Sequence, residues 1–185
     1  MKLYVKNMVC PRCISAVEKT LNEIDINPIQ VILGEITING ELNTIQTELL
    51  KQKLELLGFE LLDDTHKQQI EKIKLIIINH IHHLNDNRFV FSEIIADELN
   101  KEYSQLSKLF SATEGITIEH FVILQKTEKV KELLAYNQMN LSEIAYLLGY
   151  SSVAHLSSQF KKTTGLTPSQ FKAQGIHLRK TLDNL

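Results

Sequence analysis

Long apolar runs are missing from this chain. The longest, Ile76 to Ile78 with its neighbours, falls far short of the ~20 residues that cross a bilayer. No cationic start precedes an apolar segment, so no signal peptide and no membrane partner are expected, and the cytoplasm is the expected location. Glycine and proline are scarce, 7 and 3 among 185 residues, which with 43% apolar residues fits a folded soluble protein. Cysteine is limited to two, and in a reducing compartment such a pair points to metal or redox chemistry rather than a structural disulfide. There is no nucleophile, base and oxyanion constellation and no phosphate-binding glycine loop, so an enzyme is not expected.

Charge is small and unevenly spread. Residues 1–65 carry 6 Lys+Arg against 10 Asp+Glu, a net of −4, and residues 66–185 carry 14 against 12, a net of +2. Both cysteines lie in the first part and all 7 histidines in the second. This asymmetry suggests two domains with different tasks.

The second part repeats itself. Leu106, Ser107, Phe110, Gly115, Thr117 and Phe121 return fifty positions later as Leu156, Ser157, Phe160, Gly165, Thr167 and Phe171. Upstream, Ile95, Ala96 and Leu99 return after forty-nine as Ile144, Ala145 and Leu148. Two copies of one supersecondary unit account for this. Each copy reads as helix, short turn, helix. In the second copy Asn140 and Glu143 form a capping box, Gly149 stops the first helix, Ser152 to Thr164 is the second, and Thr167-Pro168-Ser169-Gln170 opens another.

At about 100° per residue, Leu106, Leu109 and Phe110 share an inner face, as do Leu156, Gln159 and Phe160. The outward faces carry Ser104, Ser107, Lys108 and Ser111 in one copy, and Ala154, Ser157, Ser158 and Lys161 in the other, with His155 to one side. Such a helix can lie in a major groove; a plain solvated face is the bland alternative. A helical stretch from Thr117 to Tyr136 joins the copies, roughly 30 Å at 1.5 Å per residue, close to one ~34 Å turn of B-DNA.

The run Gly149-Tyr150-Ser151-Ser152, Leu156-Ser157, Phe160-Lys161-Lys162, Gly165-Leu166-Thr167-Pro168 and Phe171-Lys172 resembles the signature of AraC/XylS-type regulators. The resemblance covers roughly residues 68–174. It implies a seven-helix domain that binds promoter DNA, usually as an activator, with contacts from Ser104, Ser107 and Lys108 and from Ala154, His155, Ser157, Ser158 and Lys161. Neither reading helix carries an arginine, so bidentate guanine contacts are not expected; shape readout and thymine-methyl contacts are.

The front of the chain alternates like a strand over residues 2–7, then carries Met8-Val9-Cys10-Pro11-Arg12-Cys13 and a helical pattern through Val17 and Leu21 to Ile24. Strand-like runs at Ile29–Leu33 and Glu35–Ile38, a helix over Leu42–Leu57 and a last strand at Phe59–Leu62 complete a βαββαβ, ferredoxin-like order. Two thiols three apart at a strand-to-helix junction can reach one soft metal ion, or can act as a redox dithiol; chance cysteines are the bland alternative. The helix N-terminus and Arg12 favour their thiolates.

The Met-x-Cys-x-x-Cys loop resembles the heavy-metal-associated domain of copper chaperones and metal-pumping ATPases, over residues 1–64. The resemblance implies that Cys10 and Cys13 ligate a thiophilic metal, Cu(I) first and Zn(II) or another soft ion next, with Met8 beneath the loop and Phe59 shielding it. Plain core packing of Met8 and Phe59 is the alternative. Asn7 replaces the family's usual glycine, and the hairpin around Gly34 looks shortened. His80 and His83, at i, i+3 on a helical run from Ile70 to Leu84, offer either a two-His site or polar residues on a half-buried helix.

The expected architecture is thus an α+β ferredoxin-like domain (1–64), a connecting helix (65–86), an all-α double helix-turn-helix domain (87–174) and a tail (175–185). The expected function is a DNA-binding transcription regulator that responds to metal at Cys10 and Cys13. A thiol redox-sensing regulator and a metal chaperone with a helical docking domain are the alternatives. Double-stranded promoter DNA is the expected partner, with RNA polymerase and a second copy of the chain as further candidates.

Overall fold

The computed structural model describes residues 1–83, 90–137 and 139–174. The chain divides into two compact units, Met1–Leu75 and Ile76–Leu185. Leu84, the end of the expected helical run, and the 175–185 tail lie outside the described residues.

The first unit runs β1 (Lys2–Lys6), α1 (Pro11–Glu23), β2 (Pro28–Ile32), β3 (Glu35–Ile38), α2 (Thr44–Glu55) and β4 (Glu60–Leu62), followed by α3 (Thr65–Ile78). The strands form one sheet in the order β2-β3-β1-β4, with every neighbouring pair antiparallel. Alternation decides which side chains turn inward: Leu3 and Val5 of β1 and Ile36 and Ile38 of β3 are buried. Val17 and Leu21 of α1 and Leu50 and Leu54 of α2 join that core. Helix α2 begins at a reciprocal capping box between Asn43 and Gln46.

Within this unit α3 lies close to the turn between β2 and β3. A Cβ on Gly34 would fall 2.1 Å from Leu75 Cδ1 and displace that side chain, and the φ of Gly34 is +75°, a conformation that favours glycine. Glu71 of the same helix accepts the backbone N–H of Asn7 at 3.1 Å.

The second unit opens with a π turn, Asn79–His83, followed by α4 (Phe91–Leu99), α5 (Tyr103–Glu114), α6 (Ile118–Tyr136), α7 (Leu141–Leu147), α8 (Val153–Thr164) and α9 (Pro168–Gln174). The expected stops and starts are all used. Asn140 and Glu143 close a reciprocal capping box on α7, Ser152 caps α8, and Gly115 and Gly165 end α5 and α8 in the left-handed region. Phe110 packs edge-on to Phe121 at 5.8 Å, and Phe160 to Phe171 at 5.6 Å, so the sequence repeat reappears as a repeated core contact.

Helix α6 is not a simple amphipathic rod. It buries Gln125, Thr127, Glu128 and Lys131 together with Val130 and Leu134. Thr127 donates to the Ile123 carbonyl at 2.8 Å, and Lys131 meets Glu128 at 2.6 Å. A buried pair in hydrogen-bond contact avoids the penalty that either charge would bear alone. Among the described residues no helix is long and apolar enough to cross a membrane.

Candidate nucleic-acid interface and thiol pair

Helices α5 and α8 are each 12 residues long, and their first eight positions repeat the same pattern of burial. Leu106 and Phe110 on one, and Leu156 and Phe160 on the other, are fully buried. Ser104 and Lys108 are exposed on α5 and Ser107 is half-buried; Ala154, His155, Ser158 and Lys161 are exposed on α8 and Ser157 is half-buried. Leu109, expected in the core, is half-buried like Gln159, its counterpart on α8.

His155 is fixed rather than free. Its Nδ1 lies 3.1 Å from Ser151 Oγ, its backbone N–H donates to Ser152 Oγ at 3.1 Å, and its ring stands edge-on to Tyr150 at 5.4 Å. Helix α6 between α5 and α8 has 19 residues, or roughly 28 Å at 1.5 Å per residue. That length suits two readers in successive major-groove segments, about 34 Å apart.

Residues 95–174 match the helix-turn-helix domain family. The matched stretch runs from within α4 to the end of α9. The fold is similar to that of a transcriptional regulator with an AraC-type DNA-binding domain from Chromobacterium violaceum, with a TM-score of 0.52 at 19% identity, over 62% of this chain and 99% of that one. The C-terminal domain of AraT, a response regulator from Geobacillus stearothermophilus, gives 0.52 at 24% identity, over 64% of this chain and 95% of that one. "Probable transcriptional regulator LumQ" of Photobacterium leiognathi is 27% identical over 131 residues, 70% of this chain and 49% of that protein. The chain spans about half the length, or less, of the curated relatives it matches. Regulation is the role that the names of these relatives carry.

The thiol pair sits in the other unit, away from the helix-turn-helix domain in sequence. Cys10 is the N-cap of α1 and Pro11 its first residue, so both cysteines lie at the first turn. Both are free thiols and half-buried, and their Sγ atoms are 3.5 Å apart. Two thiolates on one tetrahedral ion with ~2.3 Å bonds stand roughly 3.8 Å apart, so the pair fits a shared metal with little movement. Among the described residues no group of three or more His, Cys, Asp or Glu is placed to hold a metal. Two thiols alone fall short of the four ligands of a closed zinc site.

Burial raises the pKa of Cys13, and the neighbouring Cys10 adds to the rise. This runs against the expected thiolate bias from the helix terminus: desolvation outweighs it at Cys13. Met8 is completely buried and Phe59 is 8% exposed, both in the core of the unit. Asn7 adopts φ 72°, a left-handed conformation that asparagine accepts more readily than most residues. Its Nδ2 ties the loop to the Gly58 carbonyl at 2.9 Å, next to Phe59.

The histidines lie on a half-buried stretch that is not a regular helix. The backbone widens into a π turn at Asn79–His83. His80 Nδ1 lies 2.8 Å from the Ile76 carbonyl, and His82 Nε2 lies 3.0 Å from Gln125 Oε1. Sequence reasoning missed Glu71 and Gln125, because their partners lie 64 and 43 residues away. No local pattern marks such pairs.

Proposed function

We propose that the chain is a sequence-specific DNA-binding transcription regulator of the AraC family whose front unit responds to a thiophilic metal. The carrying observation is the repeated pair of helices, α5 and α8, with equivalent positions turned outward in each copy. Ser104, Ser107 and Lys108, then Ala154, His155, Ser157, Ser158 and Lys161, make the contacts to a promoter duplex. RNA polymerase and a second copy of the chain are its further partners, and the cytoplasm is its location.

The front unit is proposed as a ferredoxin-like, heavy-metal-associated module. Its βαββαβ order and its antiparallel β4-β1-β3-β2 sheet support that reading. Cu(I) is the favoured ion, because two soft thiolates, with no group of three or more ligands among the described residues, suit it better than zinc. Metal binding then changes promoter affinity through differential binding to two states of the protein.

Two expected results test this reading. First, duplexes enriched from a random pool by the full chain should bind at least about tenfold more weakly to Ser104→Glu and Ser158→Glu variants, because each places a carboxylate against the duplex. Unchanged affinity in both would remove these faces from the interface. Second, Cu(I) should bind wild type stoichiometrically and the Cys10→Ser/Cys13→Ser variant not at all. Loading should shift wild-type DNA affinity by about fivefold or more, and leave the variant unmoved. A shift produced by a thiol oxidant but not by metal would favour redox sensing, for which the 3.5 Å Sγ separation is also suited. No shift under either treatment would leave DNA binding alone.

A further inference from the structure

A cleft of about 440 Å³ opens inside the helix-turn-helix domain. Its floor is α6, through Val122, Ile123 and Lys126, and its walls come from the start of α4, Tyr103 of α5, the Gly149-Tyr150 turn and His155 of α8. The lining is mainly apolar, and the size falls within the ~300–1,000 Å³ range of small-molecule sites.

One charged group stands out. Lys126 is half-buried, its Nζ lies 5.3 Å from the centre of the Tyr150 ring, and burial lowers its pKa. No carboxylate of the described residues pairs with it. The carboxylate that does line the cleft, Glu119, is engaged by the Tyr103 hydroxyl at 2.7 Å, a bond that lowers its pKa. Burial likewise pushes Tyr150 up to about 12, so its hydroxyl stays protonated and able to donate. A cation at an aromatic wall of an apolar pocket is a site for an anion that brings its own apolar body.

We propose that this cleft binds a small organic anion, its charged end on Lys126 and its apolar part along Val122 and Ile123, and that occupancy weakens DNA binding. The second half of the proposal follows from His155, which lines the cleft and is also exposed in the first turn of α8. A ligand that moves His155 or Tyr150 alters the first turn of a reading helix. That half rests on the DNA-binding reading; ligand binding itself does not.

The test uses the full chain with 1-anilinonaphthalene-8-sulfonate as a fluorescent probe and 4-phenylbutyrate, 4-phenylbutanol and 4-phenylbutylamine as competitors. The carboxylate should displace the probe at concentrations at least about tenfold below those of the alcohol and the amine. Lys126→Met should lower probe affinity about tenfold or more, while Lys126→Arg, which keeps the charge, should stay within about threefold of wild type. Equal binding by Lys126→Met, or preference for the amine, would overturn the proposal.

On a duplex selected by the wild type, saturating 4-phenylbutyrate should weaken binding about fivefold or more in wild type and not in Lys126→Met. If Lys126→Met instead lowers DNA affinity without ligand and reduces the salt slope by about one, Lys126 holds a DNA phosphate and the proposal falls. Absence of selectable DNA binding would defeat the regulatory reading while the probe competition still decides the site.

Discussion

Replacing Phe160 with alanine should destabilise the helix-turn-helix domain by about 3–5 kcal/mol, the range for removing a buried phenylalanine. Phe160 is 1% exposed and stands edge-on to Phe171, on α9, at 5.6 Å. Losing it removes the ring's transfer energy and leaves a cavity between α8 and α9 that rigid helices fill only in part. Set against a total of about 5–15 kcal/mol for a typical domain, this is a large fraction. Hydrogen exchange resolved by peptide should show the loss across α7 to α9, with β1 to β4 unaffected. Phe110→Ala, at the equivalent place fifty residues earlier and 0% exposed, should do the same to α4 and α5. A cost below about 1 kcal/mol at both positions would contradict the packing described.

The second large effect is a pH dependence centred on His82. Burial pushes its pKa down to about 4 from 6.5, opposed in part by its bond to Gln125. Lys129 and His83 add to the lowering and Glu132 opposes it. Its Nδ1 and the Nε2 of Gln125 are buried and find no hydrogen-bond partner among the described residues. The sign follows from linkage: between pH 6.5 and 4 the unfolded chain binds a proton that the folded chain resists. Stability from this group is therefore full above about pH 6.5 and is lost as pH falls toward 4. The loss comes to about 3 kcal/mol, because each tenfold difference in proton affinity between the two states is worth about 1.4 kcal/mol. Denaturant unfolding of wild type and His82→Gln at about pH 7, 5.5 and 4 measures it. Carboxylates titrate in both proteins, so the difference between the two curves isolates His82. Parallel curves would show that His82 gains its proton in the folded state as easily as in the unfolded one.

Much of the helix-turn-helix domain was legible because its signals are local. Asn140 and Glu143, Ser152, Gly165 and Thr167-Pro168 are caps and stops whose partners sit within four residues, and each closes as expected. The fifty-residue repeat and the 3.6-residue period placed Leu106, Phe110, Leu156 and Phe160 on inner faces, and all four are buried. The strand-helix-strand-strand-helix-strand order of the front unit was readable for the same reason: alternation and turn residues act over a few positions.

Other features could not be read along the chain. The π turn at Asn79–His83 interrupts a pattern that continues as an ordinary helix in the sequence. The polar residues Gln125, Glu128 and Lys131 look like a solvated face of α6, yet they are buried. The half-burial of Lys126 beside Tyr150, the tie from Glu71 to Asn7 and the raised pKa of Cys13 all depend on groups brought close by folding.

The sequence by itself therefore determined the elements, their ends, the repeated helix pairs and the adjacency of Cys10 and Cys13, because periodicity and capping are short-range physics. The tertiary structure alone decided which polar groups are desolvated, which are paired across tens of residues and where a cleft remains. Desolvation and long-range pairing are properties of the packed arrangement, and no single segment of the chain carries them.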